Sequence, residues 1–180
     1  MIKTFTGPMF SGKTTALLST YFNMWNKKNI LCFKPKINTR DDGIKSKNIN
    51  ENVDAIEIDK LEDMLEHIKK NTRTIFIDEA NFLKGDVSVL THISIDLNID
   101  VYVCGLNMTS EQKPFGIMPD ILAISDCIEI KKGYCTNCNR PASFTYYEGN
   151  KSKDVVVGDT GYISLCEDCL RKKRRKEYEE

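Results

Sequence analysis

Ile2-Lys3-Thr4-Phe5-Thr6 followed by Gly7-Pro8-Met9-Phe10-Ser11-Gly12-Lys13-Thr14 is the stretch that decides the fold. Residues 2–6 read as a short strand. Residues 13–25 read as a helix with Leu17, Leu18, Tyr21, Met24 and Trp25 on one apolar stripe. Between them, residues 7–14 fit the pattern G-x-x-x-x-G-K-[ST] in the strand, loop, helix setting that the pattern requires. Glycines let such a loop wrap until successive N–H groups and the positive end of the helix face an anion. Gly7 to Gly12, Lys13, Thr14 and Thr15 are therefore the candidate triphosphate cradle. Lys13 would bridge the outer phosphates and the Thr14 hydroxyl would ligate Mg2+.

Working outward, residues 30–33 and 100–105 read as buried strands, and Thr74-Ile75-Phe76-Ile77 as the centre of a parallel sheet because its apolar run is unbroken. Further strands are expected at 53–58 and 127–130, with helices at 60–70, 87–97 and 121–125. The polar stretch 36–52 reads as a mobile loop. Alternating strands and helices at this spacing call for right-handed β-α-β units, hence an α/β P-loop fold with helices on both faces of a mostly parallel sheet. Asp78 ends the central strand at the carboxyl edge, where it faces the glycine loop and can hold Mg2+. Glu79 beside it is the candidate to accept a proton from whatever oxygen attacks the γ-phosphate. Water as attacker makes an ATPase and a substrate hydroxyl makes a kinase; the acidic pair serves either.

The 26 basic residues balance 26 acidic ones, so no global field draws the chain to nucleic acid or anionic lipid. No leader or membrane-spanning run is visible, and the expected location is cytoplasmic. Seven cysteines then point to thiols and metal ligands rather than disulfides. Cys32, Cys104 and Cys127 sit singly in apolar runs as small buried hydrophobes. Cys135-x-x-Cys138 and Cys166-x-x-Cys169 have the spacing of two knuckles closing one tetrahedral, structural Zn2+ site, with a redox dithiol as the alternative. The organisation expected is a nucleotide-binding domain at 1–131, a zinc-binding lid module at 132–170, and a charged, solvated or disordered tail at 171–180. That tail, Arg171 to Lys176 above all, is the one place where a nucleic-acid contact would reside.

Taken together, residues 7–14, Asp78-Glu79-Ala80-Asn81-Phe82, Lys113-Pro114-Phe115-Gly116 and the paired cysteines resemble the type II thymidine kinases, in order and spacing over nearly the whole chain. The resemblance implies ATP-dependent phosphorylation of the thymidine 5′-hydroxyl, in pyrimidine salvage, with Glu79 as general base. It implies that Arg40 contacts phosphate. It also implies that Met9, Phe82, Leu106, Phe115, Thr145 and Tyr162 surround the base and sugar, while Lys153, Asp154, Val155, Val156 and Val157 fold over the base as a lasso anchored by zinc. Asn38 stands where the family usually has Asp, which weakens a water-mediated magnesium contact. Ser110 stands where it often has Phe, which thins one wall of the pocket and its discrimination against deoxyuridine. A homotetramer and feedback inhibition by thymidine triphosphate are further implications of the resemblance.

Overall fold

A computed structural model describes residues 1–37, 43–46, 49–149 and 160–179. Strand β1, Ile2–Thr6, runs into the glycine loop and then into α1, Lys13–Phe22. β2 covers Ile30–Pro35. An antiparallel ribbon of β3 (Ile44–Ser46) and β4 (Ile49–Val53) follows before β5, Ile56–Ile58. Next come β6 (Thr74–Ile77), α2 (Ser88–Thr91), β7 (Asp100–Gly105), α3 (Met118–Ile124) and β8 (Cys127–Ile130). The chain ends in β9 (Gly133–Tyr134), β10 (Pro141–Ala142), β11 (Phe144–Tyr147), β12 (Tyr162–Leu165) and α4 (Glu167–Glu179).

Six strands build one sheet in the order β5-β2-β6-β7-β1-β8, with every neighbouring pair parallel. Side chains of a strand alternate between its faces, and here both faces are covered. Ile2, Phe33, Ile75, Ile77, Val101 and Val103 pack toward α2, α3 and the short turns around Leu61. On the opposite faces of the same strands, Phe5, Cys32, Phe76 and Cys104 point the other way, onto Leu17 and Leu18 of α1. This double burial makes the apolar runs continuous, and it leaves the polar ends of the strands to converge at the carboxyl edge. Among the described residues no helix is long and apolar enough to cross a membrane.

Several local expectations are corrected. The helix expected over 60–70 is a 3-10 helix, Leu61–Glu66. Leu61 and Met64 are its buried residues, and a three-residue repeat places both over the sheet. Asp63 tightens the turn by accepting from the N–H groups of Asp59 and Lys60. The helix expected over 87–97 is α2 followed by a π turn, His92–Asp96. α1 stops at Phe22, so Trp25 falls off the apolar stripe and is fully exposed. Within the stretch expected to be a loop, β3 and β4 form a ribbon whose Ile44 and Val53 are buried against α1, apolar anchors hidden in a polar composition.

The last part of the chain is built differently. β9 pairs with β10 and β11 with β12, both antiparallel, around a small cluster of Cys135, Ala142, Tyr146, Leu165, Cys166 and Leu170. The expected disordered end is instead helix through residue 179. Glu167 pairs with Arg171 one turn on at 2.6 Å, and the cysteine cluster fixes the first turn, so the run of like charges is carried by an anchored helix.

Candidate active site

Gly7 sits at φ 141°, and a Cβ there would lie 2.3 Å from the Lys131 carbonyl oxygen, so only glycine lets β1 turn into the loop against β8. Gly12 has φ 77° and caps α1 in the left-handed region. The loop folds on itself: Ser11 Oγ and Lys13 Nζ each donate to the Pro8 carbonyl oxygen at 2.8 Å, which holds the buried Lys13 ammonium inside the curve. Thr15 Oγ1 meets Ser46 Oγ of the β3–β4 ribbon at 2.7 Å.

β7 lies between β1 and β6 in the sheet, yet the two candidate metal-binding groups meet over its end. Thr14 Oγ1 donates to Asp78 Oδ1 at 3.2 Å, and the Cys104 thiol sits 3.9 Å from the same hydroxyl. Burial pushes the Asp78 carboxyl above the usual carboxylate range, opposed by hydrogen bonds from Cys104, the Glu79 N–H and Thr14 and by the Lys13 charge. Burial, followed by the Asp78 charge, pushes Cys104 well above the ordinary thiol range, so it stays a neutral donor. An acid held in this way can neutralise a divalent cation carried in by a triphosphate. Glu79 has φ 52°, a conformation uncommon for a residue with a side chain, and starts the tight turn Ala80–Phe82. Asn81 pins that turn: its Oδ1 accepts from Leu106 N–H at 2.9 Å, while its buried amide nitrogen has no partner among the described residues.

The residues expected around a nucleoside come from separate elements. Phe82 and Phe115 stand edge to face, 5.2 Å between ring centroids, and Leu106 is buried at the end of β7. Tyr162 packs against Tyr147 at 4.8 Å on the β11–β12 hairpin. The same hairpin clamps the glycine loop: Thr145 Oγ1 accepts from Met9 N–H at 2.9 Å, and Ser164 Oγ donates to the Met9 carbonyl oxygen at 2.7 Å. Ser110 precedes Gln112, whose amide donates to the carbonyls of Ser110 at 2.5 Å and Thr145 at 3.0 Å. Asn38, Arg40 and residues 153–157 lie outside the described residues. Sequence reasoning did not single out Ser164, Gln112 or the contact of Cys104 with Asp78, because isolated polar residues carry no spacing signal, and it gave Asn81 no role beyond its place in the 78–82 motif.

The four paired cysteines come together, with every Sγ within 4.8 Å of the others. Tetrahedral zinc with bonds of about 2.3 Å separates its sulfurs by about 3.8 Å. Cys138 Sγ is 3.6 Å from Cys166 Sγ and 3.7 Å from Cys169 Sγ, so the set fits such an ion. Arg140 supports it from outside, with Nε 3.4 Å from Cys138 Sγ, Nη2 3.7 Å from Cys166 Sγ, and a 2.9 Å ion pair to Asp168. That guanidinium lowers the Cys138 thiol to about 6. Burial and the neighbouring sulfurs push Cys169 up to about 12, and a bound cation would supply the charge that lets all four ionise together. None of the seven cysteines is disulfide-bonded; Cys32 and Cys104 are buried as expected, but Cys127, expected to be buried, is exposed on the edge strand β8.

The thymidine kinase family profile matches residues 1–170. The chain belongs to the thymidine kinase family. Among its relatives, the thymidine kinase of Pseudothermotoga lettingae is 33% identical over 172 residues, covering 92% of each chain. The thymidine kinase of Aster yellows witches'-broom phytoplasma is 38% identical over 171 residues, covering 89% of this chain and 81% of its own. That of Mycoplasma genitalium is 32% identical over 167 residues, covering 89% and 78%. The family match thus spans both the parallel sheet and the cysteine-bearing hairpins, and it stops within α4.

Proposed function

We propose that this protein is a thymidine kinase that moves the γ-phosphoryl group of magnesium-ATP onto the 5′-hydroxyl of thymidine. Family membership over residues 1–170, joined to a glycine loop whose Thr14 hydroxyl meets Asp78, carries the reading. In it, Lys13 and the loop N–H groups orient the outer phosphates, and Thr14 and Asp78 receive the magnesium that accompanies the nucleotide. Arg40 and Asn38 belong to the phosphate side in the same reading. Glu79 takes the proton of the attacking hydroxyl as the O–P bond forms and the bond to the β-phosphate oxygen breaks. Its left-handed backbone turns the carboxylate out of the line of β6, one residue beyond the metal-binding acid.

Phe82, Phe115, Leu106, Met9 and Tyr162 supply flat and apolar walls for a pyrimidine, with residues 153–157 as the lasso over its edge. Zinc at Cys135, Cys138, Cys166 and Cys169 would tie the two feet of that lasso together and lend folding free energy to a module with a small core. Because β11 and β12 also grip Met9, the residues that hold the nucleoside are hydrogen-bonded to the loop that holds the phosphates. Exclusion of water from the transferring group follows from that closure. A homotetramer, inhibition by thymidine triphosphate and a cytoplasmic location complete the reading.

The test is direct. Purified protein with magnesium-ATP and a panel of nucleosides should give thymidine monophosphate, with deoxyuridine monophosphate next. Hydrolysis of ATP that is the same with and without nucleoside would make the protein an ATPase and end the proposal.

A further inference from the structure

The family match ends at residue 170, but the helix does not: α4 continues to Glu179, and its Lys173 and Arg174 reach Glu148, Glu111 and Gln112. Leu170, Lys173 and Arg174, three and four positions apart, share its inner face. Leu170 is buried. Lys173 pairs with Glu148 and stands 5.4 Å over the Tyr146 ring. One Arg174 nitrogen, Nη2, donates to Gln112 Oε1 and, at 3.3 Å, to the Glu111 carbonyl oxygen.

Gln112 is thereby used at both ends of its amide. Arginine has donors only, so Arg174 must take the carbonyl end, and this fixes which way the amide faces. The nitrogen is left for the carbonyls of Ser110 and Thr145. The residue itself sits at φ 61°, in a tight turn where its N–H donates to the Thr109 carbonyl oxygen at 3.0 Å and the Thr109 N–H donates to the Lys113 carbonyl oxygen at 2.9 Å. This turn lies between Ser110 and Phe115, two residues of the nucleoside pocket, and it is tied to the strand whose Thr145 side chain holds Met9.

We infer that Arg174 is a positioning residue for the nucleoside site, acting through Gln112 to press the 109–115 turn against β11. The inference rests on the thymidine kinase reading. It assigns to the basic helical end a role inside its own molecule rather than contact with nucleic acid. Lys172, Arg175 and Lys176, exposed like Arg174, take no part in it.

Steady-state kinetics of the full chain test it. Arg174→Ala should raise the KM for thymidine about threefold to tenfold, the range for one hydrogen bond at a partly exposed site. Its kcat, KM for ATP, bound metal and Tm should match the wild type, because Arg174 is exposed and is not one of the four clustered cysteines or their supporting Arg140. Gln112→Ala should give a similar rise, and the double variant should be no worse than Gln112→Ala alone. Arg174→Lys, which keeps a cationic donor, should recover part of the loss. An unchanged thymidine KM in Arg174→Ala, an equal rise in the KM for ATP, or additive effects in the double variant would overturn the inference while leaving the kinase reading intact. Wild-type protein that phosphorylates no nucleoside would instead sink the reading beneath it.

Discussion

Replacing Thr145 by valine removes one acceptor from the clamp on the phosphate loop and changes little else. Thr145 is 4% exposed, and a methyl in place of Oγ1 leaves no cavity, so the loss falls on the Met9 N–H that donates to it at 2.9 Å. A backbone donor left unpaired in a partly buried site costs about 1–3 kcal/mol. At about 1.4 kcal/mol per factor of ten, that is about 5-fold to 150-fold in an equilibrium. Ser164 still holds the Met9 carbonyl at 2.7 Å, which argues for the lower end, about 10-fold. If this energy serves to keep the loop in register, kcat/KM should fall by that factor for both thymidine and ATP, since the proposed reading assigns Met9 to both sites. The Tm should then move by less than about 2 °C. Steady-state kinetics and a thermal melt on the same preparation separate the cases. A Tm lowered by several degrees with kcat/KM unaltered for both substrates would refute the reasoning, since the clamp would then support the fold and not the loop.

Glu79→Gln should lower kcat by about 100-fold or more with ATP affinity unchanged, measured by single turnover and nucleotide titration; near-normal turnover would remove Glu79 as the base. Cys166→Ser should abolish stoichiometric zinc in metal analysis and raise the thymidine KM. A metal-free variant with wild-type kinetics would separate the cysteine cluster from the pocket. Ser110→Phe should sharpen the ratio of kcat/KM for thymidine over deoxyuridine, by no more than about 150-fold because a methyl contact is worth about 1–3 kcal/mol. Trp25→Ser should leave stability within about 0.5 kcal/mol of wild type in denaturant unfolding, because the ring is fully solvated; a larger loss would mean that it is covered in solution.

The parallel sheet was legible because burial on both faces leaves continuous apolar runs, as in Ile75-Phe76-Ile77, and because the glycine pattern marks where strand passes to helix. The cysteine cluster was legible for a similar reason: ligands that must reach one ion recur at fixed spacing. What escaped was set by tertiary contact. Leu61 and Met64 fit an α-helical stripe and a three-residue repeat equally well, and the sheet beneath selects the second. The β3–β4 ribbon depends on Ile44 and Val53 finding α1, which its polar composition hides. The end of the chain reads as a solvated charge block until Cys166 and Cys169 anchor it and Glu167, Glu148 and Gln112 take up three of its cations. Ser164 could not be found from sequence at all: a lone serine gains its role only by meeting a residue 155 positions away.

That separation bears on how the protein is made. Met9 leaves the ribosome 155 residues before its partner Ser164, so the cradle stays unfinished until the distant hairpin has been made. Closing so long a stretch of chain is slow compared with forming local helices. In pulse-labelled hydrogen exchange during refolding, the Met9 amide should gain protection after those of α1, even though the two are neighbours in sequence. An amide protected in step with α1 would mean that the loop takes its final shape without the grip of the distant hairpin.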